Sequence, residues 1–184
     1  MDGGGVAEAT RSAVETAARD TPVPGAGWEL RPAAETDIEV VAELRADVMR
    51  PDLERLGRYD EHRVRQRLRD SFSTRYTSVI MADRELMGCV TVRPRGDGLW
   101  LEHFYLAPRH QGRGLGSAVL RTLLERTDAQ GMTVGLNVLQ GSPARRLYER
   151  HGFVVESQDP VDVFMVRPPQ TSPGSASSDS TGDA

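Results

Sequence analysis

The sequence predicts a mixed α/β domain, a sheet with helices packed on it, and three features predict it. Apolar residues recur at helical spacing in three long stretches and one short one. Runs of alternating or β-branched residues, bounded by Gly, Pro and Asp, lie between and after them. The two kinds interleave in one order, without internal repeats: strand, two helices, three strands, helix, strand, helix, two strands.

Each element has its own signal. Trp28-Glu29-Leu30-Arg31 alternates and reads as the first strand. Thr36-x-x-Glu39 reads as a capping box, and Ile38, Val41, Leu44 and Val48 follow at helical spacing. Pro51 is expected to stop or kink that helix. Asp60 reads as the N-cap of a second helix, with Val64, Leu68 and Phe72 on one face. TSVIMAD and LMGCVTVRP form a hairpin around Asp83-Arg84-Glu85. GDG turns the chain into LWLEHFYLA, a long strand. Gly114 to Ala129 is a helix that turns Leu115, Val119, Leu120 and Leu123 inward. TVGLNVL is a strand, and Pro143 to His151 a short helix with proline near its first turn. FVVES and VDVFMV close the sheet.

The 184 residues suit one domain with a sizeable core. Residues 1–26 and 168–184 are rich in Gly, Ala, Ser and Pro and poor in large apolar groups, so both ends are expected to be disordered around a domain at 27–167. No run of about 18 apolar residues suggests a membrane span, and no charged start with an apolar run suggests a secretory signal. A single cysteine, Cys89, forms no intrachain disulfide and reads as a buried small hydrophobe. These features together point to the cytoplasm. The net charge of −4 argues against bulk binding to nucleic acid.

The stretch QGRGLGS, Gln111 to Ser117, joins the long strand to a helix. By itself it is a tight turn or an anion cradle. It is no P-loop, because no Lys-Ser/Thr pair follows its last glycine. It is no dinucleotide fingerprint, because it comes late in the chain and the next strand ends without an acid. A helix N-terminus with Gly112, Gly114 and Gly116 lets an anion approach the backbone, with Arg109, His110 and Arg113 nearby. This Gln-x-x-Gly-x-Gly pattern after Leu106-Ala107-Pro108 resembles the acetyl-CoA pyrophosphate loop of the GNAT superfamily of N-acetyltransferases. SPARRLYERHGF resembles that family's second cofactor motif, matched at Tyr148, Gly152 and Phe153. Ser142 stands where many members have an Asn that contacts the pantetheine arm.

The resemblance implies a twisted, mostly antiparallel sheet of six or seven strands with helices on both faces and splayed central strands. It implies acetyl-CoA as co-substrate, bound by Leu106, Gln111, Gly112, Arg113, Gly114, Gly116, Ser117 and Ser142. No metal is called for.

Acetyl transfer to an amine needs a base, an oxyanion donor and an acid. Strand alternation puts Trp100, Glu102, Phe104 and Leu106 on one face and Leu101, His103 and Tyr105 on the other. The family places a Glu or His base where Glu102 stands. The alternative for Glu102 is a salt bridge to an arginine such as Arg31 or Arg45. His103 is the rival base, but alternation turns it away unless a bulge precedes it. The resemblance assigns the Leu106 N–H to the thioester oxygen and Tyr148 to the departing thiolate; the alternative for Tyr148 is packing.

The family builds its acceptor side from the first two helices and their loop. Met49, Tyr59 and Trp100 are expected to wall that pocket, with His103 beside them and Glu54 or Asp60 attracting a cationic amine. A small amine is the leading acceptor. A protein N-terminus or lysine and a non-catalytic acyl-CoA-binding regulator are the alternatives. The last two strands suit a dimer contact, with a monomer the other option.

Overall fold

The computed structural model describes residues 21–22 and 27–170. The terminal stretches read as disordered lie outside the described residues, except Thr21–Pro22 and residues 168–170. The strands are β1 (Thr21–Pro22), β2 (Glu29–Pro32), β3 (Thr77–Ala82), β4 (Glu85–Arg95), β5 (Gly98–Leu106), β6 (Val134–Leu139), β7 (Val154–Gln158) and β8 (Asp162–Arg167). The helices are α1 (Ile38–Arg55), α2 (Glu61–Ser71), α3 (Leu115–Ala129) and α4 (Ala144–Arg150). One sheet runs β1-β2-β3-β4-β5-β6-β8-β7. Every neighbouring pair is antiparallel except β5 and β6. Setting aside the two-residue β1, this is the seven-stranded, mostly antiparallel sheet expected. No helix among the described residues is long and apolar enough to cross a membrane.

Helices cover both faces. Val119, Leu120, Leu123 and Leu124 of α3 and Tyr148 of α4 pack with Leu99, Leu101, Val134 and Leu136. On the other face, Val41, Ala42 and Leu44 of α1 and Leu68 of α2 pack with Val79, Cys89 and Tyr105. Cys89 is the buried small residue expected, and burial pushes its thiol up to about 12. At the β7 edge, Val154 and Val155 are exposed.

Three local expectations need correction. The capping box at Thr36 and Glu39 does not form. A 3-10 turn at Glu35–Asp37 comes first, and the Asp37 carboxylate accepts the Ala34 N–H at 2.7 Å while Arg31 holds it at 2.9 and 3.1 Å. Glu39 is left to accept two bonds from Arg69 of α2. Second, α1 runs on through Pro51 to Arg55. Proline removes one N–H, so the Asp47 carbonyl loses its i+4 donor, but the helical bonds resume beyond it, the Leu56 N–H reaching the Asp52 carbonyl at 3.0 Å.

The third correction decides the site. Thr91 of β4 pairs with Glu102, whereas Cys89 pairs with Tyr105. One residue of β4 therefore faces two of β5, His103 and Phe104, which is a β-bulge. His103 sits at φ 49°, the left-handed region that a non-glycine residue rarely adopts. The bulge reverses the alternation. Leu99 and Leu101 face α3 before it, and Phe104 and Leu106 face α3 after it. Phe104 and Leu106 thus do not share a face with Glu102. His103 does, with its Nε2 3.9 Å from Glu102 Oε1.

Candidate active site

β5 and β6 touch at only two rungs, Leu99 with Val134 and Trp100 with Gly135. Beyond them the two strands part. Ala107 donates its N–H to Met87 on the β4 side, so the preceding N–H, that of Leu106, points into the gap. A cleft of about 1390 Å³ opens there. Its lining includes Glu102, His103, Leu106 and Tyr148, the loop residues Gln111, Gly112, Gly114, Gly116 and Ser117, and Ser142.

The glycine loop is built as its sequence suggests. Gly112 and Gly114 lie at φ 72° and 85°, where a Cβ is strained. Gly114 caps α3 without a side chain, which leaves the first-turn N–H groups open to an anion. Gln111 Nε2 ties the loop to the Leu106 carbonyl at 2.8 Å. Ser117 Oγ meets His151 Nε2 at 2.6 Å. Ser142 Oγ accepts a long 3.4 Å bond from the Ala144 N–H at the start of α4. Arg113 is exposed and does not line the cleft. Arg109 is engaged with Glu85 and His110.

Glu102 has a partner that neither sequence candidate supplied. Arg93 Nε lies 3.0 Å from Oε1, though off the line a hydrogen bond requires. Arg93 is the diagonal neighbour across β4, whereas Arg31 is spent on Asp37 and Arg45 on the Val64 carbonyl and Tyr105 hydroxyl. Burial raises the Glu102 carboxyl above its usual range, and Arg93, Arg95 and Arg45 pull it partly back.

His103 is on the right face for a base and is otherwise occupied. Ser71 donates its hydroxyl to the Arg67 carbonyl at 2.6 Å, so His103 Nε2–H donates to Ser71 Oγ at 3.0 Å. Tyr105, which accepts from Arg45, donates to His103 Nδ1 at 3.2 Å. Burial, then Arg45 and Arg93, push His103 down to about 4. The ring is neutral at pH 7, with both nitrogens committed.

Tyr148 is 7% exposed and meets the Phe153 ring edge-on. Burial, and then Tyr105, raise its phenol well above the usual tyrosine range, so it keeps its proton at neutral pH.

The acceptor-side candidates divide. Met49 and His103 line the cleft. Trp100 does not: it lies under Arg95, 3.9 Å from guanidinium to ring centre, beside a separate hollow near the β4–β5 turn. Glu54 pairs with Arg50 at 3.8 Å, and Tyr59 lies under the same Arg50 at 4.5 Å; neither lines the cleft. Asp60 does line it, but its carboxylate accepts the Arg63 N–H as the cap of α2.

Known proteins share this architecture. The chain is similar to a PaiA N-acetyltransferase from Thermoplasma acidophilum in complex with coenzyme A, at 21% identity and a TM-score of 0.64, over 77% of this chain and 98% of that one. It is similar to the ribosomal-protein-S18-alanine N-acetyltransferase from Escherichia coli, at 18% identity and a TM-score of 0.61, over 79% and 96%. A nucleotide-linked sugar GNAT, FdhC, aligns at 16% identity and a TM-score of 0.55, over 77% and 86%. At these identities the likeness establishes the fold, and the acceptors named differ widely. A search of curated proteins finds no match. The model of the acetyltransferase (GNAT) family matches residues 40–153, well over half of the chain, and the protein is therefore a member of that family of N-acetyltransferases.

Proposed function

We propose that the protein transfers acetyl from acetyl-CoA directly to the primary amine of a small molecule, with Glu102 as base and Tyr148 as acid. The observation that carries this reading is the parting of β5 and β6 between those two groups in one cleft. The amine must be neutral to attack. If lysine-like, it costs about 4–5 kcal/mol to deprotonate at pH 7. Glu102 takes that proton as the nitrogen attacks the thioester carbon. The Leu106 N–H bonds the carbonyl oxygen as its charge grows. The C–S bond breaks, and Tyr148 protonates the departing sulfur.

A small acceptor is favoured by a strap that ties the end of α1 to the loop after β6, next to the cleft residues Asp52, Leu139 and Ser142. Arg55, at the end of α1, donates to the Gln140 carbonyl beyond β6. Its guanidinium lies so close over Gly141 that a Cβ there would meet Nη1 at 2.9 Å. An extended peptide would need that strap to open.

Two variants test the assignments. Tyr148→Phe is expected to lower kcat about 100-fold, with the Kd for acetyl-CoA, read by calorimetry, near wild type. Full activity would remove it as the acid. Gly114→Ala is expected to weaken acetyl-CoA binding about 5- to 30-fold, since the left-handed backbone costs a side chain roughly 1–2 kcal/mol. Native affinity would reject the pyrophosphate-loop assignment. Gly116→Ala should be milder, because its Cβ meets only the flexible ends of Leu106 and Leu147, at 3.3 and 3.5 Å.

The reaction is tested by thiol release from acetyl-CoA over a panel of primary amines and short peptides. Release with small amines supports the proposal, and release with peptides alone moves the acceptor to proteins. Tight acetyl-CoA binding without any turnover would favour a binding-only role.

A further inference from the structure

We infer that the acceptor carries an anionic group, a carboxylate or a phosphate, besides its amine, and that Arg63 and Arg67 of α2 hold it; this rests on the amine-acetylation reading above. The helix sequence HRVRQRLR alternates arginines with Val64 and Leu68, which are buried. Its arginines fall into two pairs. Arg65 and Arg69 turn toward α1 and are consumed there, each by two bonds to one carboxylate: Glu43 at 2.7 and 2.8 Å, and Glu39 at 2.9 and 2.8 Å. Arg63 and Arg67, also one turn apart, line the cleft instead. Both are exposed, and neither guanidinium has a hydrogen-bond or ion-pair partner among the described residues.

The carboxylates in the same cleft each hold another hydrogen-bond or ion-pair partner, although Asp60 also feels the charge of Arg63. Asp52 pairs with Arg55. Asp60 caps α2. Asp159 accepts the N–H groups of Val161 and Asp162, and Asp162 accepts Asn137 Nδ2. Glu102 faces Arg93. Glu54 and Asp60, which the sequence offered to attract a cationic amine, are thus respectively outside the cleft and spent on a cap, while exposed Arg63 and Arg67 line it from α2, with Arg58 and Arg150 on other segments.

The placement suits a substrate bound at both ends. The contact between Ser71 and His103 fixes the end of α2 beside Glu102. Arg67 lies one turn away and Arg63 two, about 6 and 12 Å along the helix axis. The glycine loop opens α3, which packs on the opposite face of the sheet. The CoA phosphates and the acceptor anion are thus assigned to different sides. A planar guanidinium forks onto carboxylate or phosphate oxygens and stays charged at every working pH.

The test uses the full-length chain, Arg63→Gln/Arg67→Gln, and matched acceptor pairs in the thiol-release assay. Carboxylate pairs are amino acids of increasing chain length against their carboxamides. The phosphate pair is glucosamine 6-phosphate against glucosamine. Wild type should prefer the anionic member of at least one pair by about 10- to 100-fold in kcat/KM. The double variant should lose that preference through the acceptor KM, with the KM for acetyl-CoA and the rate on neutral amines unchanged. Whichever pair shows the preference identifies the anion. Equal or faster turnover of the neutral members by wild type would overturn the inference alone. A variant that slows both members equally would also overturn it. No thiol release with any amine would remove the amine-acetylation reading, and this inference with it.

Discussion

Glu102→Gln is expected to lower kcat by about 10²- to 10⁴-fold, the range for loss of a general base, while acetyl-CoA binds nearly as before. Glutamine keeps the shape of the side chain and cannot take the proton. The sign of the pH effect follows from the burial that raises the Glu102 pKa. A base works only when ionised, so the wild-type rate should climb as pH rises through this elevated pKa and fall below it. The variant should lack that limb and keep only the dependence set by the amine itself. The competing role, an ion pair with Arg93, predicts another pattern: a lower melting temperature with an unchanged pH–rate profile. Measuring both on one preparation separates the two. His103 does not complicate the reading, because its ring is already neutral and bonded at both nitrogens.

Asp128→Ala should give the largest loss of stability, about 3 kcal/mol, or roughly 6–12 °C in Tm for a chain of this size. Asp128, near the end of α3, accepts two bonds from Arg167 at 2.6 and 2.7 Å and the Gln170 N–H at 2.9 Å. The Arg167 side chain is only 4% exposed, and its Nε also holds the His151 carbonyl. Removing the carboxylate strands a buried guanidinium. The bonds from Arg167 hold the Asp128 pKa below the usual carboxylate range. A depressed carboxylate stabilises the fold above its unfolded pKa, about 3.9, and loses that contribution as pH falls through the folded value. Wild type and variant should therefore converge in melting temperature in acid and diverge near neutrality. A constant difference from pH 2 to pH 7 would refute the account. The exposed pair of Arg65 and Glu43 is the control, and breaking it should change little.

The helices were legible in the sequence because their burial follows the 3.6-residue period. Val119, Leu120 and Leu123 are buried on α3, and Val64 and Leu68 on α2, as their spacing indicates. The glycine loop was legible because its chemistry is local. What escaped was set by register. The run Trp100 to Leu106 alternates without a break, yet His103 takes a left-handed backbone and resets the phase. The only hint there is His103 itself, since histidine is enriched at positive φ, whereas glycine and asparagine, the stronger signs, are absent. The Arg93 partner of Glu102 depends on the same pairing across β4 and β5, which lies beyond what spacing along one strand can reveal. Trp100 was misplaced for a related reason. It does share the face of Glu102, but Arg95 from the adjoining turn draws its ring into a different hollow.

The gap between β5 and β6 carries a cost outside catalysis. A sheet interrupted at its centre has a seam along which its two halves are joined by only two rungs. Acetyl-CoA lodged in that seam would act as a rivet between them. At a concentration one hundred times its Kd, such a ligand adds roughly 2.7 kcal/mol to the folded state. The lifetime of the protein would then follow the metabolic supply of acetyl groups, so that starvation for acetyl-CoA would thin out the enzyme as well as idle it.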